Sequence, residues 1–237
     1  MSAGGLSLAV RHPWDLTPAE AIAVQRELAG RITLADGPEM VASVGGVDVG
    51  IRQDVARAAV AVVRYPELNL VTHRIVELPV AFPYVPGLLS FREAPAILAA
   101  LEGLDALPDV LLFDGQGYAH PRRMGIATHL GILLDRPTIG CAKSRLCGLA
   151  PEPEAERGSY AWLRDGDEVI GAVVRTRTLV RPVYVSVGHR MRLERAIAFI
   201  LSCTRGYRLP EPLRWAHRLA SGQRSDQSPW PHDACTS

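Results

Sequence analysis

Lysine is almost missing from this chain. Of the 26 basic residues only Lys143 is a lysine, so arginine fills nearly every place where a generic surface cation would serve. A guanidinium is a planar fork and an ammonium a compact point charge, and the two do not interchange where geometry is tight. The exception reads as a position that needs an ammonium, the alternative being a chance codon in an arginine-rich background. An excess of charge of either sign is also lacking. A formal net charge of +1 excludes a global basic field, so any polyanion site must be built from locally placed cations. Cys141, Cys147, Cys203 and Cys235 form no C-x-x-C pair and no zinc spacing, in a chain too large to need disulfide staples. A reducing, cytoplasmic setting is expected. No apolar run reaches the length of a membrane span, and "MSAGGLSLAVRHPWDLTPAE" has no basic stretch followed by an apolar one, so no targeting segment is read there. Neither a G-x-S-x-G serine nor a paired Cys-His motif is present.

What is present suffices for a full core. With 237 residues, 48% of them hydrophobic, one domain is expected over residues 1–220, and the polar, turn-rich residues 221–237 read as a disordered tail. "LTPAEAIAVQRELAGRI" carries Thr17 as N-cap, Pro18 at the first helical position and Glu20 at the capping-box position, predicting a first helix. "VASVGGVDVG", "ARAAVAVVRYP" and "NLVTHRIVELPVAF" are β-branched runs with short links, predicting an antiparallel meander. "LLSFREAPAILAALEGL" then has helical spacing, "DVLLFDG" reads as a buried strand, "RRMGIATHLGILLD" as a helix and "PTIGCAK" as a strand, a β-α-β-α-β order that implies parallel strands. "SYAWLRDGDEVIGAVVRT" is a hairpin around Asp165-Gly166, "RPVYVSVGHR" a further strand, and "RLERAIAFILSC" and "EPLRWAHRLA" are helices. The sum is a mixed α/β sheet with helices on its faces, in which ligands gather at the carboxyl ends of the parallel strands.

Strand ends therefore locate the candidate chemistry. "VGGVDVG" and "VLLFDG" each close an apolar run with one carboxylate, Asp48 and Asp114. On neighbouring parallel strands both would enter one cleft, where like charges need a shared proton or a cation, and hard oxygen ligands suit Mg²⁺ or Mn²⁺. Each alone could be a turn acid. Ser90-Phe91-Arg92-Glu93 reads as a capping box with Glu93 as its acid. In "DGQGYAHPRR" two glycines, His120 and the arginines precede a helix, as at phosphate sites. Lys143 and His189 close two further strands. "FPYVPGLLSFRE" sets Tyr84 between Pro83 and Pro86, ahead of Gly87, either as a stiff connector or as an aromatic wedge.

Taken in order, "GGVDV", "FPYVPGLLSFRE", "DGQGYAHPRRMGIATHLGILLDRPTIGCAKS" and "RPVYVSVGHR" closely resemble endonuclease V, the deoxyinosine 3′ endonuclease of DNA repair, over Leu16 to Ala220. The resemblance implies a ribonuclease-H-like fold and Mg²⁺-dependent hydrolysis, with Mn²⁺ as substitute, at the second phosphodiester bond 3′ to a deaminated adenine in DNA, with RNA as a further candidate. It also implies Asp48 and Asp114 as metal ligands, and Glu93, Lys143 and His189 as the rest of the catalytic set. Tyr84, held by Pro83, Pro86 and Gly87, would fill the gap left by a flipped base, with Gly115, His120 and Arg122 on the substrate side. Two departures stand out: Gln116 replaces the histidine of "DGHG", and Val187 the proline of "SPGH". A monomer is expected. The rivals are a metal-free glycosidase using the paired acids and a non-catalytic nucleic-acid-binding module using Tyr84 and the arginines.

Overall fold

A computed structural model describes residues 6–222. From residue 223 the expected tail lies outside the described residues. Helix α1 (Pro18–Ala29) starts as its sequence predicts: the Thr17 hydroxyl accepts from Glu20 N, and the Glu20 carboxylate accepts from Thr17 N at 2.8 Å. Strands β1 (Ser43–Arg52), β2 (Val55–Arg64) and β3 (Leu70–Pro79) form the antiparallel meander. Then follow α2 (Leu89–Glu102), β4 (Val110–Phe113), α3 (Ile126–Leu134) and β5 (Thr138–Ala142). The chain closes with β6 (Tyr160–Asp165), β7 (Glu168–Val174), β8 (Val183–His189), α4 (Leu193–Ser202) and α5 (Glu211–Ala220).

All eight strands join one sheet in the order β3-β2-β1-β4-β5-β8-β7-β6. β1, β4 and β5 are parallel, and every other neighbouring pair is antiparallel. This is the mixed, helix-flanked sheet that the sequence predicts, of the ribonuclease-H-like type that the resemblance implies. Every residue of β4 and β5 is buried, as central parallel strands covered on both faces require. α4 and α5 cover one face, packing Phe199, Ile200, Leu213 and Leu219 against Val44, Leu112, Ile139 and Val185. α2 and α3 cover the other with Ile97, Leu101, Leu130 and Leu133 against Val47, Val60, Leu111 and Phe113. α3 is buried all round, so its apolar surface is continuous rather than a stripe. No helix among the described residues is long and apolar enough to cross a membrane, and Cys141, Cys147 and Cys203 are free.

Candidate active site

Register places the two aspartates side by side. β1 and β4 pair in parallel up to Val47 opposite Phe113, and Asp114 N donates to Val47 O at 3.0 Å, so Asp48 and Asp114 are the next residue on each strand. β4 ends there. β1 does not: it runs on to Arg52 against β2, which makes Asp48 a mid-strand residue at the point where parallel pairing stops, not the strand-end acid its motif suggests. Asp48 Oδ1 accepts from Val49 N at 2.8 Å, and Oδ2 lies 2.7 Å from Nδ1 of His217 on α5. Asp48, Asp114 and His217 each bring one ligand atom within 4.8 Å of the others. Burial pushes the Asp48 carboxyl above its ordinary value and the Asp114 charge adds to it, against the opposing effects of His217 and Lys143. Two hard oxygens, one imidazole nitrogen and carboxylates that repel one another fit a divalent cation.

Glu93 faces the same cluster. Burial, then the charges of Asp48 and Asp114, push its carboxyl up to about 8, with Arg92 opposing. The capping-box reading fails here: α2 is capped from Leu88 with no side-chain bond, and the Ser90 hydroxyl lies 3.0 Å from His129 Nδ1 instead. Lys143, one residue beyond β5, sets its ammonium against Asp114 Oδ2, the lysine partly exposed and the aspartate nearly buried. Arg208 anchors the Lys143 backbone by donating to its carbonyl at 2.6 Å.

Beside this cluster opens a cavity of about 380 Å³ whose wall includes Tyr84, Pro86, Gly87, Gly115, Gln116, His120 and Lys143, with Asp114 at the carboxylate end. Tyr84 stands on its rim, 74% exposed. The loop beneath it is tightly held. Gly87 has φ of +79°, and a Cβ there would sit 2.7 Å from Arg122 Nη2, so the residue must be glycine. Gly87 O accepts from Gln25 Nε2 at 3.0 Å, His120 Nε2 at 3.0 Å and Arg122 Nη2 at 2.8 Å. His120 Nδ1 accepts from Arg122 N at 3.1 Å, and burial with the adjacent Arg122 charge pushes the imidazole down to about 4. His120 is therefore neutral near pH 7 and cannot serve as a phosphate cation. It and Arg122 lock the wedge loop through Gly87 O, and His120 does so from the cavity wall. Gln116 Nε2 donates to Ser144 O at 2.9 Å, bracing the opposite wall.

The model of the endonuclease V family matches residues 26–218, most of the chain. The chain belongs to the endonuclease V family. An endonuclease V of Methanothrix thermoacetophila is 53% identical over 216 residues, covering 91% of this chain and 96% of that protein. The crystal structure of the endonuclease V of Streptomyces avermitilis superposes with a TM-score of 0.85 at 44% identity, covering 90% of this chain and 95% of that one. Ciona intestinalis endonuclease V, in complex with a 24mer DNA containing an inosine followed by a ribo-adenosine, gives 0.77 at 31% identity, covering 86% and 96%. The family is one of nucleases, so the chain is an endonuclease.

One expected residue of the set is elsewhere. His189 ends β8, which is antiparallel to β5, and it stands opposite Thr138, the first residue of β5. Lys143 follows the other end, five residues on, which places His189 roughly 16 Å away along the strand at about 3.3 Å per residue. His189 Nδ1 accepts from Thr33 N at 3.3 Å and Nε2 lies 3.2 Å from Asp135, so it ties the loop after α1 to the turn after α3. The histidine at the carboxylates is His217, which belongs to none of the motifs that carry the resemblance. Its signal is positional: Leu213, His217 and Ala220 follow helical spacing, so a histidine occupies a place on the apolar stripe of α5.

Proposed function

We propose that this endonuclease hydrolyses inosine-containing DNA at the second phosphodiester bond 3′ to the deaminated base, as a monomer and with Mg²⁺, Mn²⁺ substituting. Inosine in RNA is a further substrate under this reading. The observation that carries it is the shared wall: the cavity with Tyr84 on its rim has Asp114 and Lys143 in its lining, which puts a base-sized space next to hydrolytic chemistry. The inosine of the Ciona relative's DNA complex supports the choice of lesion.

Rotating a base out of a duplex costs a few kcal/mol and least for a poorly paired one, so hypoxanthine is cheaper to extrude than adenine. Tyr84, exposed on a loop fixed through Gly87 O, occupies the vacated space while the base enters the cavity. Asp48, Asp114 and His217 would hold the cation, which supplies Lewis-acid activation of the phosphate and of a water when bound. The Lys143 ammonium, already at Asp114, reaches a phosphate oxygen at the same edge and offsets its developing charge. Glu93, set on α2 where its carboxyl feels the charges of both aspartates, completes the acidic cluster.

The test is nicking of an end-labelled inosine duplex with Mg²⁺, with Mn²⁺ and with EDTA, for the native chain and Asp114→Ala. Cutting confined to the second bond 3′ to the lesion, lost in EDTA and in the variant, is the expected result. Nicking that persists in EDTA would remove the metal mechanism, and a cut elsewhere would remove the positional reading.

A further inference from the structure

We infer that Gly46 and Gly50 are positioning residues of the metal site, setting the height at which α5 rests on β1 and hence the reach of His217 to Asp48. The inference deepens the nuclease reading and rests on it. Alternate residues of β1 share a face, so Gly46, Asp48 and Gly50 point the same way. A Cβ at Gly46 would lie 2.0 Å from Pro212 O and 2.2 Å from its carbonyl carbon, and one at Gly50 would lie 2.9 Å from Ala220 O. These neighbours are helix backbone, which no rotamer change can move aside. β2 continues the floor: Ala61 and Ala59 stand opposite Gly46 and Asp48, both fully buried, and Arg57 opposite Gly50 donates from Nε to Leu219 O at 3.1 Å.

Small residues under a helix would by themselves show only close packing. What ties them to the site is the order along both elements. Asp48 lies between the two glycines, and His217 lies between the two helix positions that touch them, with Nδ1 2.7 Å from the carboxylate. Opening the Gly46 contact from 2.0 Å to the 3.0 Å that real Cβ atoms respect lifts α5 by about 1 Å. A hydrogen bond of ordinary length does not survive that displacement, and the three-atom cluster opens with it.

Gly45 supplies the control, since a Cβ there meets Leu111 Cδ2 at 2.6 Å and Pro108 Cγ at 2.8 Å on the opposite face of β1. Mn²⁺ binding to the DNA-free protein is followed by the electron paramagnetic resonance of free Mn²⁺, alongside thermal melting and binding to inosine DNA in EDTA. Gly46→Ala is expected to weaken Mn²⁺ binding by roughly ten-fold or more, the scale of disturbing a residue that orients a ligand, while inosine DNA is still bound. Gly45→Ala should lower the melting temperature without changing Mn²⁺ binding. Native Mn²⁺ affinity in a folded Gly46→Ala protein, or equal weakening by Gly45→Ala, overturns the inference. If Gly46→Ala does not fold, Gly50→Ala decides: weaker Mn²⁺ binding supports the inference and unchanged binding overturns it. A native chain that binds no Mn²⁺ would instead sink the metal reading, and this inference with it.

Discussion

Gln25→Met isolates the lock beneath the wedge. Gln25 is 1% exposed and lies on α1, far in sequence from everything it holds. Its Nε2 donates to Gly87 O and to Met124 O, each at 3.0 Å, and its Oε1 accepts from Arg122 Nε at 2.5 Å. Methionine keeps the length and the helix propensity but removes all three bonds. Two neutral bonds contribute about 1 kcal/mol each and the charge-assisted one about 1.5–3 kcal/mol. Against this, Gly87 O keeps two donors, Arg122 reaches water, and an apolar side chain gains on burial. The net loss is about 2–3 kcal/mol. At about 2–4 °C per kcal/mol for a chain of this size, melting should fall by about 4–12 °C. The functional consequence is separate: with the loop loosened, nicking should lose its preference for inosine duplex over undamaged duplex, while single-stranded inosine substrate, which has no stack to hold open, is cut nearly as before. Tyr84→Ala, at an exposed position, should reproduce the lost preference without the lower melting point. A Gln25→Met protein that melts with the native chain and discriminates as well would refute the lock.

Lys143→Arg keeps the charge but puts a wider, planar group between Asp114 and the phosphate; turnover should fall by roughly ten-fold or more, and a wild-type rate across a range of Mg²⁺ would make the lone lysine a codon accident. His217→Ala should cost both Mn²⁺ binding and nicking, whereas His189→Ala should lower stability and leave Mn²⁺ binding intact; the reverse pattern would restore the strand-terminal histidine to the site. Two buried imidazoles should each withdraw stability with acid, because burial pushes His129 down to about 3 and His120 down to about 4, from 6.5 in the unfolded chain. Both imidazoles are neutral when folded, so their contribution is complete above pH 6.5 and declines as the pH drops toward those values, by up to about 1.4 kcal/mol per pH unit for each. Glu93, pushed up to about 8, works in the opposite sense over the same range, so urea unfolding at pH 7, 6 and 5 compares the native chain with His120→Gln: the variant should gain stability relative to the native chain as the pH drops, and identical pH dependence of the two would contradict the burial.

Local chemistry was readable in the chain and long-range direction was not. The Thr17–Glu20 box, the Asp165-Gly166 hairpin and the apolar runs before Asp48 and Asp114 each depend on neighbours a few residues away, and all lie where the patterns put them. His189 went astray because a strand end names an edge of the sheet only when the strand's direction is known. The link from β7 to β8 is too short for a parallel crossover, which makes that pair antiparallel. Nothing local tells which way β8 then lies against β5. Ser90 looked like a cap, yet its hydroxyl had a buried partner, His129, 39 residues on. His217 lies 169 residues from Asp48, and on its own it is only a histidine in an apolar stripe. Likewise Gly46 and Gly50 are only glycines in a strand, where they weaken it. Each irregularity accounts for the other: the strand gives up side chains at those two positions so that a helix backbone can come down to it, and the helix gives up an apolar residue where it meets the carboxylate. One sequence contains both halves of that exchange, but pairing them requires knowing that α5 crosses β1, and that is decided by the packing of the sheet as a whole.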